Sequence, residues 1–152
     1  MCKVRLFDGF PTSQGTSPPV ALALLTSLST GSHAHRNPRM QPQATIAVDM
    51  DITPAVSLST NLGVMHAADD ARRFVQAYGG ASLGFALGGS WSGFAEVFTW
   101  WPASAGGSNQ AVVDAGIQLL LGDDVILDGR LARTTGDGSP STSGGIGVSF
   151  RW

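Results

Sequence analysis

Apolar and polar residues alternate along most of this chain. In the last ten residues, Ile146, Val148 and Phe150 lie on one face of an extended backbone, and Gly145 and Gly147 lie on the other. Successive side chains of a β-strand point to opposite faces of a sheet, so strict alternation predicts strands. The same period of two recurs in the segments 44–52, 56–64, 75–87, 113–121 and 125–131.

The alternation predicts nine strands. Most span nine to fifteen residues, more than the ~5–6 of typical soluble strands and enough to cross a bilayer at a tilt. Short turns alternate with longer loops rich in Gly, Ser, Pro and Asn, a pattern typical of transmembrane barrels. The predicted strands are 2–8, 18–29, 43–52, 55–66, 73–87, 91–101, 111–121, 125–134 and 143–152.

The distribution of charge favours a membrane barrel over a soluble one. Only 13% of the 152 residues are charged, about half the share in soluble domains. The polar face carries mainly Gly, Ala, Ser, Gln and Asn, which suits a hydrated lumen, and the apolar face is almost free of charge, as a lipid-facing surface requires. We therefore predict an all-β, antiparallel, up-and-down transmembrane β-barrel. A soluble lipocalin-like barrel that binds a ligand is the alternative.

Aromatic residues near the predicted strand ends suit the girdles that membrane barrels place at both interfaces. These residues are Trp91, Trp100, Trp101 and Trp152.

Other classes of protein find less support. No window approaches the ~18 consecutive apolar residues of a membrane helix. The first residues form no signal peptide, so an exported form would need one upstream. A net charge of −2 with nine scattered Lys and Arg residues argues against nucleic acid as a partner. The single Cys2 excludes an internal disulfide framework and a Cys-based zinc site.

Catalytic and cofactor motifs are absent from the sequence. It contains no Gly-x-Ser-x-Gly elbow, phosphate-binding loop or His-Glu-x-x-His. His33 and His35 lie in a predicted loop without an evident third metal ligand, and Asp123-Asp124 reads as a solvated turn. We expect no enzyme activity, no cofactor and no metal.

Several segments, in this order and spacing, resemble the MetA-pathway of phenol degradation family of outer-membrane transporters. The resemblance covers nearly the whole chain from about residue 2. The segments are Pro19–Gly31, Gln41-Pro42, Asn61–Gly63, Phe94–Phe98, Asp114–Gly116, Gly122–Asp128 and Gly145–Trp152.

The resemblance implies a barrel of about twelve strands in the outer membrane of a Gram-negative cell, preceded by a signal peptide. Residues 1–152 would then form a single barrel region, the C-terminal portion with about nine strands. The assembly machinery would recognise the last strand, which ends at Trp152 where the usual residue is Phe. The family implies a channel or transporter for passive passage of small, hydrophobic or aromatic molecules. A non-transporting structural or surface-binding barrel is the alternative.

Charged residues on the polar face of the last four predicted strands form the candidate site. One hypothesis is a set of lumenal charges that determines the selectivity of a pore. The other is a ladder of ion pairs and hydrogen bonds that braces a narrow barrel, because confined charges need partners. Both can hold at once. The residues are Glu96, Asp114, Asp128, Arg130 and Arg151.

Hairpin register follows from keeping each apolar row on one face. Around the turn 122–124, we predict Leu121 opposite Val125, Gln118 opposite Asp128 and Ala115 opposite Leu131. Arg130 then faces Gly116, whose small size leaves space for the guanidinium, and Asp114 becomes its diagonal neighbour. Asp128 is expected to flank the same cation. Around residues 53–55, Ile52 is expected opposite Val56 and Asp49 opposite Ser59.

Overall fold

The computed structural model describes residues 2–9, 11–12, 15–27, 39–68, 72–102, 107–136 and 140–150. These residues form eleven strands, and no helix among them is long and apolar enough to cross a membrane. The strands are β1 (Cys2–Phe7), β2 (Pro11–Thr12), β3 (Gly15–Thr16), β4 (Val20–Ser27), β5 (Gln41–Thr53), β6 (Val56–Ala68), β7 (Arg73–Gly88), β8 (Trp91–Trp101), β9 (Gln110–Leu121), β10 (Val125–Gly136) and β11 (Ser141–Phe150).

Nine of these strands form one antiparallel sheet in the order β1-β4-β5-β6-β7-β8-β9-β10-β11. All nine correspond to predicted strands, so the all-β antiparallel prediction is confirmed. The small β2-β3 pair was not predicted, because two residues per strand are too few to show a period. Within the described residues the sheet is not closed, and β1 and β11 form its two edges.

The two faces of the sheet differ sharply in exposure. We call the face that carries Tyr78 and Asp114 the inner face; their residues are 7% and 8% exposed. On the opposite, outer face, Leu131 and Leu62 are 69% and 64% exposed. No second layer of the described residues covers either face, so this difference indicates that the sheet curls around the inner face.

The predicted register around the turn 122–124 is confirmed. Leu121 pairs with Val125, Gln118 with Asp128, and Ala115 with Leu131.

The register around the turn between β5 and β6 differs from the prediction by one residue near the turn. Asp49 pairs with Ser59 as expected, but Thr53 rather than Ile52 pairs with Val56. The register shifts between Asp51 and Thr53, as at a β-bulge. A bulge adds one residue to one strand only, and alternation in the sequence does not reveal it.

Glycines on the inner face lie beneath large side chains of neighbouring strands. A Cβ on Gly63 would clash with Cζ of Tyr78. The Tyr78 side chain crosses β6, and its hydroxyl shares a hydrogen bond with the Thr45 hydroxyl on β5. A Cβ on Gly116 would lie 2.6 Å from Cε1 of Phe94. The two rings can approach β6 and β9 this closely only because these positions have no side chain.

Replacing Gly63 with Ala should destabilise the fold. The added methyl group would meet both the Tyr78 ring and, at 2.7 Å, the backbone oxygen of Ala44, and overpacking of this kind costs about 1–3 kcal/mol. Gly145→Ala is the matched control, because nothing lies within 4 Å of its Cβ position. Thermal unfolding followed by circular dichroism should give a lower midpoint for Gly63→Ala alone. Equal midpoints for the two variants would contradict the close approach.

Candidate functional site

Three of the predicted site residues meet on adjacent strands of the inner face. Glu96 on β8 pairs directly with Asp114 on β9, and Arg130 on β10 pairs with Gly116. Nη1 of Arg130 lies 3.5 Å from Oδ2 of Asp114. The diagonal contact expected from the register is therefore present.

The ion pair between Arg130 and Asp114 is unequal in its exposure. The Arg130 side chain is 61% exposed, whereas that of Asp114 is 7% exposed. The second oxygen, Oδ1 of Asp114, is enclosed and has no hydrogen-bond partner among the described residues. Glu96 lies close enough to interact electrostatically with both members of the pair. The site thus contains two neighbouring acids and one partly solvated base.

Two details of the expected arrangement around Arg130 are wrong. The space above Gly116 holds the Phe94 ring, not the guanidinium. Asp128 lies over the facing Gly147, where a Cβ would be 2.7 Å from both carboxylate oxygens. Within the described residues, the salt bridge of Arg130 is made with Asp114 and not with Asp128.

Arg151 and Trp152 lie outside the described residues, as do His33 and His35. Asp123 and Asp124 belong to the turn between β9 and β10. In the described parts of the chain, no group of three or more His, Cys, Asp or Glu residues could hold a metal ion.

Aromatic side chains form a second cluster on the inner face, beside the acids. The Tyr78 and Phe98 rings stack with centroids 5.9 Å apart, and Phe98 meets Trp100 edge to face at 4.6 Å. Trp100 therefore faces inward, and its predicted place in an interfacial girdle is wrong. Phe94, Phe98 and Trp100 lie an even number of residues from Glu96 and so share its face, a signal that the sequence already contained.

Gln76 fixes the end of the sheet beside these rings. Its side chain is buried, and Nε2 donates a hydrogen bond to the carbonyl oxygen of Pro102 at 2.7 Å. Gln41 makes a similar bond to the carbonyl oxygen of Ala68 at 3.0 Å. These buried amides satisfy backbone carbonyl oxygens and attach the ends of neighbouring strands to one another without adding charge.

A cavity of about 470 Å³ lies on the inner face, towards the end of the sheet that has the short turns. Glu96 and Phe94 line it together with polar side chains, and Ser92 Oγ contacts Gln118 Oε1 at 3.4 Å. Two of its lining residues are acids, and none is basic. The polar lining residues are Asp51, Thr53, Ser57, Ser82, Ser92, Glu96 and Gln118.

A comparison with protein families identifies the family of this chain. The model of the family described as "Putative MetA-pathway of phenol degradation" matches residues 5–152. The chain belongs to this family. The match to this phenol-degradation family includes every strand that carries the acids, the base and the rings of the inner face. No curated protein and no solved structure was found to match the chain.

The unequal exposure of the ion pair predicts an unequal effect of removing its members. In this member of the phenol-degradation family, Arg130→Ala leaves the buried Asp114 without its partner, and an unsatisfied buried acceptor costs about 1–3 kcal/mol. Asp114→Ala leaves a base that water can solvate. Arg130→Ala should therefore lower the unfolding midpoint more than Asp114→Ala.

The double variant is the control for this comparison. Removing both partners should recover part of the stability lost in Arg130→Ala, because no buried charge then remains. Equal midpoints for the two single variants in thermal unfolding would refute the interpretation.

Proposed function

We propose that the protein is a channel in the outer membrane of a Gram-negative cell, for passive passage of small hydrophobic or aromatic molecules. The observation that supports this most is the division of charge between the two faces of the sheet. The described outer-face positions of the nine strands carry no acid, and the acids of these strands all lie on the inner face.

The outer face has the character of a lipid-facing surface. Large apolar side chains such as Val75, Ile117 and Leu131 are more than half exposed, which is costly in water but favourable in a hydrocarbon layer. The charged residues on this face are Arg73 and Arg133, both towards the strand ends that the longer loops connect. Basic side chains near these strand ends could form ion pairs with the phosphate groups at the surface of an outer membrane.

The inner face has the character of a hydrated passage. It combines acids, one partly solvated Arg130, hydroxyl groups and rings around an open cavity. Rings on the wall give apolar solutes a surface to contact, and charged groups keep the passage wet. The name of the family, phenol degradation, agrees with an aromatic solute.

We further propose that transport needs no catalysis and no cofactor. The partners would be outer-membrane lipid, a small-molecule solute and the barrel assembly machinery, which would recognise β11 and the terminal Trp152. Nucleic acid would not be a partner, because the nine Lys and Arg residues are scattered along the chain.

Two measurements test the proposed channel against its alternatives. A folded membrane barrel should migrate differently on a denaturing gel before and after heating, whereas a soluble ligand-binding barrel should not. Discrete single-channel currents in a planar bilayer would then distinguish a channel from a structural or surface-binding barrel. Heat-dependent mobility without any conductance would refute the channel.

Substitution on the outer face should impair assembly far more than substitution on the inner face. Leu127→Arg places a charge on the lipid-facing surface, where the cost is roughly 2–4 kcal/mol at the bilayer midplane and smaller towards the interfaces. Gln118→Arg, the matched variant, places the same charge beside Asp128 on the inner face. The yield of heat-modifiable protein should fall strongly for Leu127→Arg only. Similar yields would mean that the faces are assigned wrongly.

Removing Arg130, the inner-face base of β10, should change ion selectivity. Arg130→Ala leaves Glu96, Asp114 and Asp128 without a neighbouring cation, so the passage becomes more negative and should favour cations. The reversal potential in a potassium chloride gradient measures this change. Arg133→Ala, on the outer face, is the control and should leave the reversal potential where it was.

A further inference from the structure

We infer that the inner face of β8 selects aromatic solutes that carry a positively charged nitrogen and disfavours aromatic carboxylates. This inference rests on the proposed function, because it concerns which solutes the channel admits. It follows from three features of the described residues: the order of side chains along β8, the local excess of acid and the cavity beside Glu96.

The first feature is an acid placed between rings. Trp100, Phe98, Glu96 and Phe94 follow one another at every second residue of β8, and Tyr78 stacks on Phe98 from β7. Alternate residues of a strand lie about 6.6 Å apart on the same face. A solute that rests its ring on Phe98 or Phe94 therefore brings an attached group within reach of Glu96.

The second feature is an excess of negative charge. On β8, β9 and β10 the inner face carries Glu96, Asp114 and Asp128 against a single Arg130, whose salt bridge goes to Asp114. Among the described residues, Glu96 has no ion-pair partner. The acids thus outnumber the available base, and a cationic solute would supply the charge that this part of the wall lacks.

The burial of Asp114 also favours a cation near Glu96. Its side chain is 7% exposed, and its enclosed Oδ1 has no hydrogen-bond donor among the described residues. A buried carboxylate in this condition is costly. An ammonium group at the facing Glu96 would stabilise Asp114 through its electric field, without direct contact with the enclosed oxygen.

The rings act in the same direction as the acids. The face of an aromatic ring is negative, so it attracts a cation placed over it. An aromatic carboxylate could stack on the same rings, but its charge would meet Glu96 and Asp114 and be repelled. The rings therefore favour aromatic over aliphatic solutes, and the acids favour cations over anions.

The third feature is the cavity that Glu96 and Phe94 share. Its volume of about 470 Å³ lies within the roughly 300–1,000 Å³ of small-molecule sites. The Ser57, Ser82 and Ser92 side chains in its lining offer oxygens that accept hydrogen bonds from an ammonium group. A one-ring amine fits this space, with its nitrogen near Glu96.

Three probes of similar size test the inference on the folded full chain in detergent. They are benzylammonium, benzoate and cyclohexylmethylammonium, and isothermal titration calorimetry measures their binding. Benzylammonium should bind at least tenfold more tightly than benzoate, because of charge. It should bind severalfold more tightly than cyclohexylmethylammonium, because of the rings. Equal affinities of the unmodified protein for benzylammonium and benzoate would overturn the inference.

Matched variants assign the two preferences to their residues. Glu96→Gln should abolish most of the preference for benzylammonium over benzoate, whereas Asp49→Asn, an inner-face acid on β5, should retain it. Phe94→Leu should abolish the preference for benzylammonium over cyclohexylmethylammonium, because Phe94 lines the cavity, whereas Phe150→Leu, on the outer face of β11, should retain it. Equal effects of Glu96→Gln and Asp49→Asn would overturn the assignment to β8.

Single-channel recording separates this inference from the proposed channel. Selective binding without any conductance would refute the channel and support the binding preference. Conductance with equal passage of benzylammonium and benzoate would support the channel and overturn the inference.

Discussion

The inner face depends on one kind of contact, in which a large side chain of one strand lies over a glycine of the next. Tyr78 lies over Gly63, and Phe94 lies over Gly116. A side chain at either glycine would push the ring away from the sheet and open the inner face. Because the rings lie close to the backbone, the sheet can curl towards them, and the buried Asp114 and the partly solvated Arg130 lie together on the curled side.

The two faces of the curled sheet carry different kinds of side chain. The outer face keeps large apolar side chains exposed, and the inner face collects the acids, the Arg130 guanidinium and the rings. Neither face is unusual by itself, since antiparallel sheets commonly have one apolar side. The combination is informative because here the apolar side is the exposed one. A lipid-facing surface and a polar passage are the proposals that account for both faces together.

The sequence predicted all nine strands of the large sheet because side-chain direction repeats every two residues. The same rule predicted the pairing of Arg130 with Gly116 and hence its diagonal contact with Asp114. It could not predict the bulge near Ile52, which changes the count on one strand only. It also could not predict that Phe94 would fill the space over Gly116. Both Phe94 and Arg130 face Gly116 across the sheet, and the side-chain rotamers decide which of them occupies the space.

The order of strands bears on how the protein forms. From β5 to β11 every strand of the large sheet pairs with the strand that precedes it along the chain, and three of the connections are turns of two or three residues. The pairings across these three turns therefore close only short loops, so their entropic cost is small. A hairpin such as β9-β10 can form by itself and then offer a free edge to the next strand. Growth by successive hairpins needs no distant part of the chain to be in place first.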